Sequence, residues 1–242
     1  PSRSYRRCRR YAINYRLDIS DYQNWVLYFY SKADSSFGVL PYITKDDIIF
    51  DVGGNIGQTA MMMAKQAGQN GYVYSFEPFP ATYNNFLYNL ELNPSLKNIS
   101  PVKLAFGSEP GNLQMYADCE TNSGANRMLP GGLAVKNTET VPVTSIDKFI
   151  EENALSSLDF IKIDVEGFEM EVLKGAYKTL QKYKPRLFVE LDDANLNKQG
   201  SSAAGVCSYL LQLGYIIYEE GTQKEFHSEF YTTPLNIYCV SN

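Results

Sequence analysis

Asp51 stands at the end of an apolar run, two residues ahead of a glycine turn. The stretch reads IIFDVGGNIGQTAMMMAKQAG from Ile48 to Gly68. Gly53, Gly54, Asn55 and Gly57 form the turn, and a helical pattern follows. Such turns let a backbone approach a ligand closely and aim a helix N-terminus at it. The dinucleotide pattern G-x-G-x-x-G uses that geometry for a pyrophosphate. Here the pattern is D-x-G-G-N-x-G, and a carboxylate at the strand tip repels phosphate. The chemistry that suits Asp51 is a cationic nucleoside, with an ammonium, a sulfonium and no phosphate, as in S-adenosylmethionine. Glu77 ends the next apolar run 20 residues after Gly57, followed by Pro78. A carboxylate there accepts both ribose hydroxyls, which serves NAD equally, so the discrimination rests on Asp51. Ala105, in the third predicted strand, completes the candidate cofactor wall. The alternative is that Asp51 and Glu77 only cap turns.

A second group of candidates lies in LDFIKIDVEGFE. Strand alternation puts Lys162 and Asp164 on one face, and Glu166 follows directly. Glu190 and Asp192 share a face in RLFVELD. In open α/β sheets, ligands bind beyond the carboxyl ends of the strands, where Asp51, Glu77, Asp164 and Glu190 all fall. Group transfer to a proton-bearing acceptor needs that acceptor aligned and a proton acceptor beside it. Candidate groups are Asp164, Glu166, Lys162 and His227, the sole histidine. Lys162 would need a lowered pKa to act as base; a salt bridge to a nearby acid is its other reading. The other reading of His227 is an exposed loop residue, since KEFHSEF offers no motif. No metal is expected, with a divalent ion held by Asp164 and Glu190 as the alternative.

The elements that position these residues follow a rhythm. Strands are predicted at 48–52, 72–77, 102–107, 158–165, 186–192, 215–220 and 236–240. Helices are predicted at 57–67, at 80–91, through Val172–Leu180 and through Val206–Leu213. Alternating strands and helices give a doubly wound, mostly parallel α/β sheet. The last two strands, with no helix between them, form an antiparallel hairpin. YQNWVLYFY (22–30) is expected as a buried helix. Residues 108–143 break the rhythm and are expected as a long functional loop. Its NSGANRMLPGG segment, with Asn122, Asn126 and Arg127, would form an acceptor rim. Arg3, Arg6, Arg7, Arg9 and Arg10 read as a solvated, dispensable arm, or as an arm that meets anionic glycan, lipid or a neighbouring domain. The parse is an extension over 1–45 and one catalytic domain over 46–242.

Composition bounds the rest. The 242 residues carry a net charge of −5, which gives no reason to expect nucleic acid. Cys8, Cys119, Cys207 and Cys239 form no CxxC pair, so neither zinc nor redox chemistry is signalled, and a reducing, cytoplasmic compartment is expected. No apolar run approaches the ~20 residues of a membrane span, and no signal peptide is evident. The missing initiator Met suggests a domain excised from a longer protein. Nineteen Tyr offer flat faces to sugar rings.

FDVGGNIGQTA, VYSFEPFPATYNNFLYNLELN, VTSIDKFIEE, DFIKIDVEGFEMEVLKGAYKTL and PRLFVEL together resemble the FkbM family of S-adenosylmethionine-dependent methyltransferases, over roughly residues 46–192. The resemblance implies a class I methyltransferase fold, Rossmann-like, with seven strands. It implies O-methylation of sugar or polyketide hydroxyls, with S-adenosylhomocysteine as product. Gly54 stands where the family commonly has Ala, a departure expected to be harmless. The expectation is therefore an O-methyltransferase acting on a sugar or glycan, as one module of a glycan-assembly protein beside a glycosyltransferase domain. The rivals are methylation of a small-molecule hydroxyl, an NAD-dependent oxidoreductase or epimerase, and a glycan-binding module without catalysis.

Overall fold

A computed structural model describes residues 4–30, 38–117, 126–128, 138–222, 224–226 and 233–241. β1 (Tyr5–Arg10) and β2 (Ile13–Asp18) pair as an antiparallel hairpin. Ile13, Tyr15 and Leu17 alternate along β2 and are fully buried, in one cluster with Met61 and Phe86. The free edge of β2 is held by side chains: Asn93 Oδ1 accepts from the Asn14 amide at 2.9 Å and Asn89 Oδ1 from the Arg16 amide at 2.8 Å. Residues 5–18 are therefore not the solvated arm that the arginine run suggests. Arg7 donates to the Tyr88 hydroxyl, Arg10 to the Tyr28 carbonyl, and Arg16 lies over the rings of Tyr5 and Tyr88. α1 (Tyr22–Phe29) is capped by Asp21, whose side chain accepts from the Asn24 amide. It is a helix as expected, but only Asn24 and Leu27 are buried, because one side alone faces the core.

The main sheet begins with β3 (Ile48–Val52). α2 (Gln58–Ala67), β4 (Tyr72–Phe76), α3 (Pro80–Glu91) and β5 (Ile99–Val102) follow. The expected third strand, 102–107, is corrected. β4 ends at Phe76, paired with Val102, so later residues have no partner in this sheet. The chain leaves it and forms β6 (Ala105–Phe106) elsewhere. β7 (Gly111–Ala117), β8 (Asn126–Met128) and β9 (Thr138–Thr144) join β6 in a four-stranded sheet of order β6-β9-β7-β8. Much of the expected long loop is thus regular structure, with Met115, Val141 and Val143 buried beneath it. Most of NSGANRMLPGG, including Asn122, lies outside the described residues, as do Cys119 and His227.

α4 (Ile146–Glu152) leads back to the main sheet at β10 (Phe160–Ile163). The single helix expected next is two, α5 (Glu169–Lys174) and α6 (Tyr177–Tyr183). They divide at Gly175, where a Cβ would meet the Gly107 carbonyl oxygen at 2.0 Å. β11 (Arg186–Leu191), α7 (Asp193–Leu196), α8 (Ala203–Gln212), β12 (Tyr215–Glu219) and β13 (Leu235–Ser241) complete the chain. The seven strands run β12-β13-β11-β10-β3-β4-β5. All pairs are parallel except those of β13 with β11 and β12. This is the mostly parallel sheet with the antiparallel C-terminal hairpin. Successive residues Ile49 and Phe50 enter opposite apolar layers, as strand alternation requires. Cys207 and Cys239 are buried free thiols. Among the described residues, no helix is long and apolar enough to cross a membrane.

Candidate functional site

A cavity of about 360 Å³ opens at the carboxyl ends of β3, β4, β10 and β11. The glycine turn forms one wall. The amides of Gly53 and Gly54 both donate to the Phe76 carbonyl, at 3.0 and 2.9 Å. Gly53 has φ +89, and a Cβ there would lie 1.8 Å from the Asp164 carbonyl oxygen, so only glycine fits. Gly54 is tight for a different reason: its Cβ would meet Ser75 Oγ at 2.2 Å. An alanine here would press on that hydroxyl, which is engaged, so glycine suits this position. Asn55 links three parts of the site. Its amide donates to Glu77 Oε2 at 2.9 Å, its Nδ2 donates to Gln23 Oε1 on α1 at 2.9 Å, and its Oδ1 is buried without a partner.

Asp51 is placed differently from its expected position. It is fully buried, and the cavity is lined by its neighbours rather than by its carboxylate. Register sets Ser75, Asp51 and Lys162 side by side on β4, β3 and β10. Ser75 Oγ donates to Asp51 Oδ2 at 2.7 Å, and Lys162 Nζ sits 3.6 Å from Oδ1. The cation beside Asp51 is therefore the protein's own. Burial still pushes the Asp51 carboxyl up, against the pull of Lys162 and Ser75.

Glu77 does line the cavity. Besides the Asn55 amide on Oε2, its Oε1 accepts from the Phe79 amide at 2.9 Å. Burial pushes its pKa up to about 7. Pro78 and Ala105 line the same wall, with Leu104, Phe106 and Met115.

The far wall carries Lys162, Asp164, Glu166 and Glu190. Lys162 Nζ donates to Asp164 Oδ2 at 3.1 Å. Burial pulls the ammonium's pKa down, but Asp164 and Asp51 outweigh it and the net shift is upward. Lys162 is thus held protonated, which removes it as a base. Burial raises Asp164, but Lys162 and a hydrogen bond with Glu190 outweigh it and keep the carboxyl low. The charge of Asp164, then burial, pushes Glu190 up, so this pair holds a proton on the glutamate. Glu166 sits at φ +56 and accepts from Asn195 Nδ2 at 2.8 Å. Glu169 Oε1 builds this turn by accepting from the Val165 and Gly167 amides, both at 3.1 Å. Burial pushes Glu169 up to about 7. Among the described residues, no three His, Cys, Asp or Glu converge as a metal set.

Two contributions escaped the sequence reading. Glu169 had a local signal, an acid in the first turn of a helix that follows a Gly. Tyr22, Gln23, Asn24 and Val26 of α1 line the cavity, and nothing in their spacing announces it.

The family model described as Methyltransferase FkbM domain matches residues 51–217. Hexuronic acid methyltransferase AglP of Haloferax volcanii is 28% identical over 137 residues, 57% of this chain and 53% of that protein. Methyltransferase 1 of Beauveria bassiana is 31% identical over 159 residues, 59% of this chain and 63% of that protein. The chain spans between half and two thirds of the length of these curated relatives. The crystal structure of methyltransferase FkbM from Methylobacillus flagellatus aligns over 88% of this chain and 50% of that chain, with TM-score 0.58 and 17% identity. At that identity the likeness shows the fold, a class I methyltransferase fold.

Proposed function

The chain belongs to the methyltransferase FkbM domain family, and we propose that it moves a methyl group from S-adenosylmethionine to a sugar hydroxyl. The observation that carries this reading is the charge of the cavity. Asp164 and Glu166 line it as carboxylates, with Glu77 half-ionised near pH 7 and Glu190 sharing its proton with Asp164, and the one cation, Lys162, is already paired with Asp51 and Asp164. That balance favours a cationic nucleoside and opposes a pyrophosphate.

The residues present fit such a ligand. Each Glu77 oxygen holds one backbone amide and keeps a lone pair for a ribose hydroxyl. Asn55 Oδ1 is an orphaned acceptor beside the glycine turn. The cavity's volume lies within the ~300–1,000 Å³ of small-molecule sites. When bound, S-adenosylmethionine supplies a methyl group on a positive sulfur, already a strong electrophile. Asp164 orients the acceptor hydroxyl and takes its proton on a carboxylate oxygen as charge leaves the acceptor. Lys162 and Glu190 hold Asp164 in place, and because they keep its proton affinity low, orientation is its larger contribution. Glu166, fixed by Asn195, shapes the acceptor side.

The Haloferax relative, by its name, acts on a hexuronic acid, which supports a sugar acceptor. Among the described residues, a wall with four acids and one paired lysine suits a neutral hydroxyl better than a carboxylate. We keep a neighbouring glycosyltransferase domain within the proposal. The boundary at residue 46 describes the sheet and its helices only, since α1 contributes to the cavity. The test is methyl transfer from labelled S-adenosylmethionine to a panel of neutral glycosides, uronic acids and phenols. Transfer to a neutral glycoside is expected, with Asp164→Asn slower by roughly 10²-fold or more. Transfer to phenols alone would move the acceptor to a small-molecule hydroxyl.

A further inference from the structure

We propose that the face formed by the N-terminal hairpin and α1 seats the protein on an anionic lipid surface. The first observation is where apolar surface is left open. Among the described residues, eight large apolar side chains are exposed, and five of them, Tyr11, Tyr22, Trp25, Phe29 and Tyr30, fall within 20 positions. The other three, Leu87, Tyr177 and Leu211, lie scattered on α3, α6 and α8. The five are all aromatic, and four of them end in a hydroxyl or an indole N–H. Side chains with an apolar body and a polar tip are those that settle at a lipid headgroup boundary. Trp25 packs against Phe29 and Tyr30, at 5.3 and 5.4 Å between ring centroids, so they form one ridge rather than isolated rings. Contiguous exposed apolar patches of this kind mark interaction sites.

The second observation is charge. Six arginines and one aspartate fall in residues 1–18, so that segment stands at +5 and the remaining 224 residues at −10. Arg6 and Arg9 are exposed on β1. Arg10 donates to the Tyr28 carbonyl near the end of α1, which joins the basic hairpin to the aromatic ridge. Anionic lipid attracts such a segment and on balance repels the remainder, which favours approach by this face.

The third observation is conformational. The hairpin turn consists of Tyr11 and Ala12, with φ +54 and +59. Two-residue hairpin turns of this hand strongly favour Asn-Gly. The turn keeps a partly exposed tyrosine in a backbone region that L residues avoid. The same helix reaches the cavity, because its exposed Tyr22 also lines it. Docking would bring the cavity mouth to the lipid surface.

The chain contains one tryptophan, Trp25, so its fluorescence reports this face alone. The full 242-residue chain is mixed with vesicles of phosphatidylcholine, or of phosphatidylcholine with phosphatidylglycerol. A blue shift and co-flotation with the anionic vesicles only, weakened by salt, are expected. Phe29→Ser/Tyr30→Ser and Arg6→Glu/Arg9→Glu should each reduce the bound fraction roughly tenfold, with unchanged melting and unchanged S-adenosylmethionine binding. The proposal is overturned if the wild-type emission stays fixed and nothing floats, or if both double variants float like the wild type. It is equally overturned if the shift arises from self-association, or with a neutral oligosaccharide such as maltotriose but without vesicles. None of these outcomes depends on methyl transfer.

Discussion

Replacing Lys162 with Met would show whether the charge of Asp51 is balanced inside the protein. The ammonium sits between Asp51 Oδ1 at 3.6 Å and Asp164 Oδ2 at 3.1 Å. Met keeps an unbranched apolar stem and removes the charge. Asp164 has 37% of its side chain exposed, so water replaces the lysine there at little cost. Asp51 has no such recourse. It is fully buried, and Ser75 would be its one remaining partner. Removing one member of a buried pair costs about 3–5 kcal/mol. At roughly 2–4 °C per kcal/mol for a chain of this size, Tm should fall by about 6–20 °C. The sign of the pH effect follows from the same burial. The Asp51 pKa is already raised, and loss of the cation raises it further. Folding then takes up a proton, so the deficit is largest at alkaline pH and shrinks on acidification. Calorimetry of Lys162→Met at mildly acidic and mildly alkaline pH measures both. Asp51→Asn/Lys162→Met should recover most of the loss. A single variant within about 1 kcal/mol of wild type, or a double variant no better than the single one, would refute the pairing.

Glu77 and Glu169 are pushed from 4.5 up to about 7 by burial. The folded state therefore binds these protons more tightly than the unfolded chain. The stability they contribute is present below pH 4.5 and is lost as pH rises to about 7. The urea midpoint should fall across that window, and Glu169→Gln should flatten the slope; a rising midpoint would contradict the assignment. Gly54→Ala should force Ser75 off Asp51 and cost about 1.5–3 kcal/mol, the range for a hydrogen bond to a charged group. Ser75→Ala in the same chain should relieve the clash, which thermal melts will show. Deleting residues 1–18 removes Ile13, Tyr15 and Leu17 from the core. At about 1.5–3 kcal/mol each, the loss approaches the whole stability of a typical domain. A soluble truncation melting near wild type would disprove that the hairpin is integral.

The main sheet was legible because its signals are local. IIFDV is a strand to the residue, and Pro80 marks the first position of α3, where its missing amide does no harm. β7 and β9 were not read. Apolar residues at alternate positions in NLQMYA and ETVPVT are few and lie beside a glycine-rich stretch. In the hairpin, charge masks the apolar alternation. INYRL alternates cleanly on its buried side, but the five preceding arginines suggested solvent. The site divides in the same way. Gly53, Gly57 and Glu77 carry short-range signatures. The partner of Asp51 does not, because Lys162 is 111 positions away and meets it only through the β3–β10 register. The bond from Asn55 to Gln23 likewise joins residues 32 apart, on elements with no pattern to connect them.

Isothermal titration of the wild-type chain with S-adenosylmethionine, S-adenosylhomocysteine and NAD tests the central claim, that an acid-lined cavity behind a glycine turn holds a cationic nucleoside. S-adenosylmethionine and S-adenosylhomocysteine should bind and NAD should not. Glu77→Ala should weaken binding by about 1–3 kcal/mol, as expected for charge-assisted hydrogen bonds. NAD binding tighter than S-adenosylmethionine, or Glu77→Ala binding as well as wild type, would contradict it.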